Sequence, residues 1–377
     1  MTLIRWHLGL SKLERPCQER TMRIGGRIPG LDVLRGGAAV AIAVYHCNAL
    51  LNLADWPPQT AYLSFAVQLF FALSAFSLCI RYQDNLSSSG KIGQFYLRRY
   101  LRIAPLFYAM MLTYAARRFY YGWDQPSISE IALNVTFLFP LVPGKHESLV
   151  AAGWSLGLEM MFYALFPLIV ARVSNLRQAT LLFVASVAIQ GVVGYWLFKI
   201  QLTPNFSWMA FPVQLPFFLL GVVLFQMYRG VDTWSARQQV VSAVSIASVA
   251  VAAVWIGLSI NLFETRIDGW PVLRPLLGYV LGALILAFAF YSFPLLVNRA
   301  TVYLGEISYG VYLIHPLMIR LVGAPVHEAG QSTATVIMTV LVATVMAASL
   351  SYHCLEKPFM HLQRRKSNKF QSAPALR

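Results

Sequence analysis

Charged side chains make up only 12% of this 377-residue chain, about half the share usual in soluble domains. With 58% of its residues hydrophobic, that scarcity excludes an ordinary water-soluble globular fold. Cysteine is equally sparse. The four cysteines have no metal-ligand spacing, so neither a disulfide framework nor a metal site is expected, only free thiols. No apolar stretch of adequate length precedes residue 31, so no cleavable leader is expected. There is no obvious internal repeat, and no appended soluble module is expected. Acidic residues are half as numerous as basic ones, 15 against 30, giving a net charge of +15. In a membrane protein that excess raises the question of which side the cations occupy, and no nucleic-acid partner is expected.

What is present is apolar sequence in runs of about 20 residues, the length that crosses a bilayer as helix. Ten spans can be read: 31–51, 61–80, 101–119, 154–172, 179–198, 210–228, 239–259, 273–293, 304–322 and 333–354. The expected fold is an all-α polytopic membrane protein with both termini cytoplasmic. Its domains are a basic N-terminal tail, 1–30, a ten-helix membrane domain, 31–360, and a basic C-terminal tail, 361–377. Met22 is a candidate alternative start. Placing the N-terminus inside puts 22 Lys and Arg on inner segments and 7 on outer ones, with Arg35 inside the first span. That asymmetry supports the orientation, and Arg117 and Arg118, at the outer end of span three, run against it. The longest connection, 120–153, contains the apolar piece IALNVTFLFPLV, too short to span and expected as a re-entrant or interfacial helix.

Ionisable residues inside such spans are functional by default. In LDVLRGGAAVAIAVYH, residues 31–46, Arg35 and His46 are 11 positions apart, three helical turns plus about 20°. They therefore share one stripe, about 16 Å apart along the axis, with Asp32 one turn from Arg35 and able to pair with it. The alternative is that Arg35 snorkels, Asp32 caps the helix and His46 bonds to a neighbouring helix. In FYLRRYLRIAP, residues 95–105, Arg98 and Arg102 share a helix face beside Arg99. Guanidinium groups suit phosphate capture, although cations flanking a span on its inner side have the same appearance. In WSLGLEMMFYALFP, residues 154–167, Ser155 and Glu159 share a face beside Trp154. Glu159 can orient an imidazole, contact a sugar hydroxyl, or simply favour the helix start. Tyr309 and His315 lie in YLGEISYGVYLIHP, residues 303–316, and LSYHCLEKP, residues 350–358, closes the last span. Glu356 and Lys357 there are expected to be interfacial charges.

Five of these stretches and FFALSAF at 70–76, six in order along the chain, resemble the acyltransferase-3 family of integral membrane O-acyltransferases across residues 31–360. One departure is Ala75, where the family commonly has glycine. The resemblance implies transfer of an acyl group, usually acetyl from cytoplasmic acetyl-CoA, to a carbohydrate hydroxyl, with no bound cofactor. It assigns donor binding to Arg98, Arg99, Arg102 and Arg35, and catalysis to His46 with Arg35 and Glu159. Asp32, Trp154, Ser155, Tyr309 and His315 become acceptor-binding or supporting residues. His46 would act as general base or as covalent acyl carrier. The expected partners are acyl-CoA, a carbohydrate or lipid-linked saccharide acceptor and membrane lipid, in the bacterial cytoplasmic membrane. With no further domain in this sequence, the protein is expected to act alone on exopolysaccharide, O-antigen or a related saccharide. The rival class is a proton-coupled transporter or flippase, which also uses buried His, Glu and Arg but commonly shows inverted repeats.

Overall fold

In the computed structural model, residues 27–360 are described, apart from 54, 55, 85, 87, 88 and 232. The two expected tails, Cys17 and the alternative start at Met22 lie outside the described residues, save for the short stretch from Arg27. The helices of eight residues or more are α1 Pro29–Leu51, α2 Ala66–Tyr82, α3 Ser89–Tyr120, α4 Ile128–Val135, α5 Trp154–Arg172 and α6 Leu176–Ile200. They continue with α7 Phe211–Arg229, α8 Ala236–Ser259, α9 Pro275–Phe290, α10 Arg299–Glu306, α11 Ser308–Met318 and α12 Thr333–Ser351. Among the described residues the one sheet is a hairpin pairing Arg266–Ile267 antiparallel with Trp270–Pro271.

Eight helical stretches are long and apolar enough to cross a membrane, which makes this an all-α polytopic membrane fold. Each of the ten expected spans falls on helix, but two fail that test of length and composition. Span 101–119 lies within α3, where Arg102 near its start and Arg117 and Arg118 at its end dilute the apolar middle. Span 273–293 corresponds to α9, which has only 16 residues. Pro105, Pro167 and Pro216 sit inside α3, α5 and α7, as packed helices in an apolar medium permit.

Apolar solvent supplies little drive to bring helices together, so their association rests on close packing. Small residues set the approach at two places that matter for the site. Gly305 of α10 lies against the backbone of α1: a Cβ there would stand 2.1 Å from the Asp32 carbonyl oxygen. Gly221 of α7 faces α2, where a Cβ would meet the Ala72 carbonyl oxygen at 2.2 Å and the Ala75 Cβ at 2.9 Å. Ala75, fully buried, therefore has its small counterpart supplied by the opposite helix. Gly221→Ala is expected to destabilise the α2–α7 packing by about 1–3 kcal/mol, the scale of overpacking. A lowered melting temperature of the detergent-solubilised protein checks it.

The 120–153 connection is ordered. Ser127 and Glu130 form a capping box at the start of α4, and Lys145 donates to Glu130 at 2.6 Å. Lys145 and the Ser127 N–H and hydroxyl hold the Glu130 carboxyl down at about 2, as opposite charge and donated hydrogen bonds do. Asn134, buried, takes the Ser148 hydroxyl and the Leu149 N–H on its side-chain oxygen. The expected apolar piece becomes α4 and a 3-10 turn at Phe139–Leu141. Phe139 packs on Phe107 and fits against Gly157 of α5. The loop thus folds back onto the helix ends.

Candidate functional site

The opening helix is unbroken from Pro29 to Leu51, so the stripe through Arg35 and His46 survives as drawn from spacing. At its lower end Asp32 is buried. It accepts from Arg27 Nε at 2.6 Å and from Arg35 Nη1 at 2.9 Å, and Arg27 also donates to Glu306 of α10 at 2.6 Å. The other terminal nitrogen of Arg35, Nη2, donates to the Ser77 hydroxyl on α2. Arg35 is thus held on both sides, which free snorkelling would not require.

At the upper end His46 meets a residue from the far end of the sequence. His46 Nδ1 and His315 Nε2 are 3.0 Å apart, and their ring centroids are 4.9 Å apart. His315 is fully buried and His46 half-buried. The proton positions follow from the acceptors. His315 Nδ1 lies 3.2 Å from the Val311 carbonyl, which can only accept, so this nitrogen carries a proton. In the neutral ring His315 Nε2 is then an acceptor, and His46 Nδ1–H must donate to it. The same Nδ1–H is shared with the Ile42 carbonyl at 3.1 Å. What remains is His46 Nε2, an unprotonated ring nitrogen on the more exposed of the two residues.

Behind the pair, Tyr312 packs on His315 with ring centroids 5.9 Å apart. Its hydroxyl donates to the Ala152 carbonyl at 2.8 Å and receives the Ser155 hydroxyl at 2.7 Å. Ser155 therefore braces the wall behind His315. Trp154 sits beside it, edge-on to Phe71. Glu159 stands one turn further along α5. It accepts from Ser74 at 2.6 Å and from the Tyr163 hydroxyl, and among the described residues it bonds to neither imidazole. The orienting contact to His46 comes from His315 instead. Tyr309 donates to the Ile103 carbonyl at 2.7 Å, tying α11 to α3.

The arginines of α3 do not act as one patch. Arg102 lies within electrostatic range of Arg35, Tyr309 and Glu356. Arg99 sits between aromatic rings, 6.0 Å from the centre of Tyr82 and 5.9 Å from that of Tyr163. Arg98 lies near Tyr82 on the same wall. Arg35 and Arg102 are the pair that the fold brings together at the foot of the stripe. Glu356, expected as an interfacial charge, is instead buried. A π-helical turn at Tyr352–Glu356 carries its carboxylate to within bonding reach of the Ser351 hydroxyl, 3.3 Å. Ser74, Ser77 and Glu356 are the participants that residue spacing did not single out. In the sequence the serines are two hydroxyls three positions apart in a mostly apolar helix, Ser74 within FFALSAF.

Cys47 and Cys79 are buried and Cys354 is exposed, none of them in a disulfide. Among the described residues no group of three His, Cys, Asp or Glu is placed to hold a metal ion.

Residues 28–354 match a known protein family, described as an acyltransferase domain. Among similar proteins, one from Acidianus two-tailed virus, named as an acetyltransferase, is 29% identical over 301 residues. That alignment covers 78% of this chain and 84% of the viral protein. An acyltransferase of Streptomyces mycarofaciens is 26% identical over 375 residues, 90% of this chain and 93% of that protein. A Staphylococcus aureus protein named as an O-acetyltransferase is 25% identical over 362 residues. The alignment covers 88% of this chain and spans 57% of the staphylococcal protein. No solved structure matches the chain.

Proposed function

The chain belongs to the acyltransferase-3 family of membrane acyltransferases, and we propose that it transfers an acyl group from acyl-CoA to a carbohydrate hydroxyl. Acetyl is the expected group, the cytoplasmic membrane of a bacterium the expected setting, and a polysaccharide or lipid-linked saccharide the acceptor. The observation that carries the mechanism is the Nε2 of His46, without a partner among the described residues and fixed by the hydrogen bonds that run through His315 to Val311. A neutral imidazole is the side chain best matched to taking a proton near neutral pH.

Arg35 and Arg102 supply positive charge where the phosphates of CoA would lie, with Arg98 and Arg99 on the adjoining wall. The pantetheine arm runs up the stripe, about 16 Å, and sets the thioester beside His46. The acceptor oxygen attacks the thioester carbonyl carbon while its proton passes to Nε2. The carbon–sulfur bond breaks, and the proton leaves with the CoA thiolate. Direct attack is favoured over an acyl-histidine because that route needs a second base for the incoming hydroxyl. The candidate neighbour, His315 Nε2, is already taken by the His46 Nδ1–H.

The test uses the purified full chain in lipid nanodiscs with radiolabelled acetyl-CoA and a bacterial polysaccharide fraction. Label is expected in the saccharide, with CoA released only when acceptor is present. A burst of CoA equal to the enzyme without acceptor would establish the covalent route, and no transfer under any acceptor would remove the enzymatic reading.

A further inference from the structure

Seven cations lie on the side that the N-terminus-inside orientation places outward. Four of them have carboxylate partners. Lys145 pairs with Glu130 at 2.6 Å, Lys199 with Asp268 at 3.5 Å, and Arg266 and Arg274 with Glu264 at 3.0 and 2.5 Å. The remaining three, Arg117, Arg118 and Arg320, form no ion pair among the described residues. All three line the same cavity, of about 470 Å³, together with Trp123 and Tyr114. That volume lies in the range of small-molecule sites. Positive charge is disfavoured on this face, and three uncompensated guanidinium groups around one hollow repel one another.

The cavity is also built with polar groups in waiting. The Tyr114 hydroxyl and Arg117 Nε are buried without a hydrogen-bond partner among the described residues. Arg117 is held flat, its guanidinium 5.1 Å from the centre of Trp123 and 5.3 Å from that of Tyr121. Arg118 is anchored by its Nε to the Asp124 carbonyl at 2.7 Å, which leaves its terminal nitrogens for another acceptor. Arg320 stands on a π-helical turn at Ile319–Gly323, the kind of helix interruption that recurs at functional sites.

The position of the cavity decides what it serves. Its lining includes Leu50, one turn beyond His46, and Pro316, next to His315. It therefore begins about 6 Å along the helix from the histidine pair, at the opposite end of the stripe from Arg35 and Arg102. We propose that this cavity binds the acceptor, and that the acceptor is an anionic saccharide. A carboxylate or phosphate of the sugar is held by Arg117, Arg118 and Arg320, with a ring against Trp123. Guanidinium forks suit either oxyanion. This inference rests on the acyl-transfer reading, because that reading is what makes a ligand beside His46 an acceptor.

The test is equilibrium binding to the full chain in zwitterionic nanodiscs, with no acyl-CoA present. Two probes of equal length are compared: an alternating glucuronate and N-acetylglucosamine tetrasaccharide, and neutral chitotetraose. The acidic probe is expected to bind at least about ten-fold more tightly, the scale of one charge-assisted hydrogen bond, with affinity falling as salt rises. Arg118→Gln and Arg320→Gln are each expected to erase most of that preference, and Arg320→Lys to keep part of it. Competition by inorganic pyrophosphate would assign the preference to phosphate-bearing saccharides, and its failure to carboxylated ones. Equal binding of the two probes would overturn the proposal. So would an Arg320→Gln variant that loses CoA affinity while binding saccharide normally, or a preference abolished by adding phosphatidylglycerol, which would make the arginines lipid anchors. Because binding is read without turnover, a chain that binds the acidic probe but never transfers label would refute acyl transfer and leave the anion site standing.

Discussion

Replacing His46 with alanine is expected to lower acyl transfer by about 10²–10⁴-fold, the contribution typical of a positioned general base, with folded protein still recovered. The expectation follows from the proton positions at the pair. His46 Nδ1–H is shared between Ile42 and His315, so the ring presents Nε2 in its basic form without any rearrangement. His46→Gln is the sharper variant. Its amide can still donate toward His315 but offers no basic nitrogen, so structure is kept and the proton acceptor is lost. Transfer of label from acetyl-CoA to saccharide, normalised to monodisperse protein, reads both variants. Wild-type transfer in either one would remove the histidine from the chemistry. His315 touches the proposed reaction only through its contact with His46, so His315→Asn is expected to cost less, because Ile42 still accepts from Nδ1.

The second large effect is on stability. Asp32→Ala is expected to destabilise the protein by about 3–5 kcal/mol, as when one partner of a buried pair is removed. The Asp32 side chain is 4% exposed and its Arg35 partner 21%, so the arginine would be left desolvated with Ser77 alone. Arg27, at 41% exposure, contributes little to this figure. The carboxylate also sits in the first turn of α1, where the helix dipole favours negative charge. A melting curve of the detergent-solubilised protein measures the loss. The double variant Asp32→Ala with Arg35→Met is expected to regain much of that stability, since an apolar replacement of both partners is tolerated, but not to regain transfer. A single variant as stable as the wild type would mean that Arg35 finds other compensation.

How much of this was legible in the sequence depends on how far apart the partners are. The helices were legible because bilayer thickness imposes a run length, and the Arg35–His46 stripe because nothing between Pro29 and Leu51 breaks the helix. The two weaker spans failed for local reasons, arginines in α3 and shortness in α9. The contact between His46 and His315 joins positions 269 residues apart. It depends on how α1 and α11 pack, which no periodicity encodes. Glu159 was visible as a polar residue in an apolar span, yet its partners Ser74 and Tyr163 depend on the facing of α2 and α5. Glu356 departs from the interfacial position because spacing assumes a regular helix, and the residue is buried on a π-helical turn at Tyr352–Glu356. Arg117 and Arg118 stood out only as violations of a charge rule. Their convergence with Arg320 on one hollow is a tertiary fact.

The histidine pair has a further consequence for what can travel through the protein. A relay needs each member to receive a proton on one side and release it on the other. Here the line runs from His46 to His315 and stops at the Val311 carbonyl, an oxygen with nothing to pass on. A proton taken at His46 Nε2 can be shared across the two rings, but among the described residues it has only the door by which it came in. The pair is a reservoir rather than a conduit, which suits a reaction that lends a proton and takes it back within one turnover, and does not suit a pump.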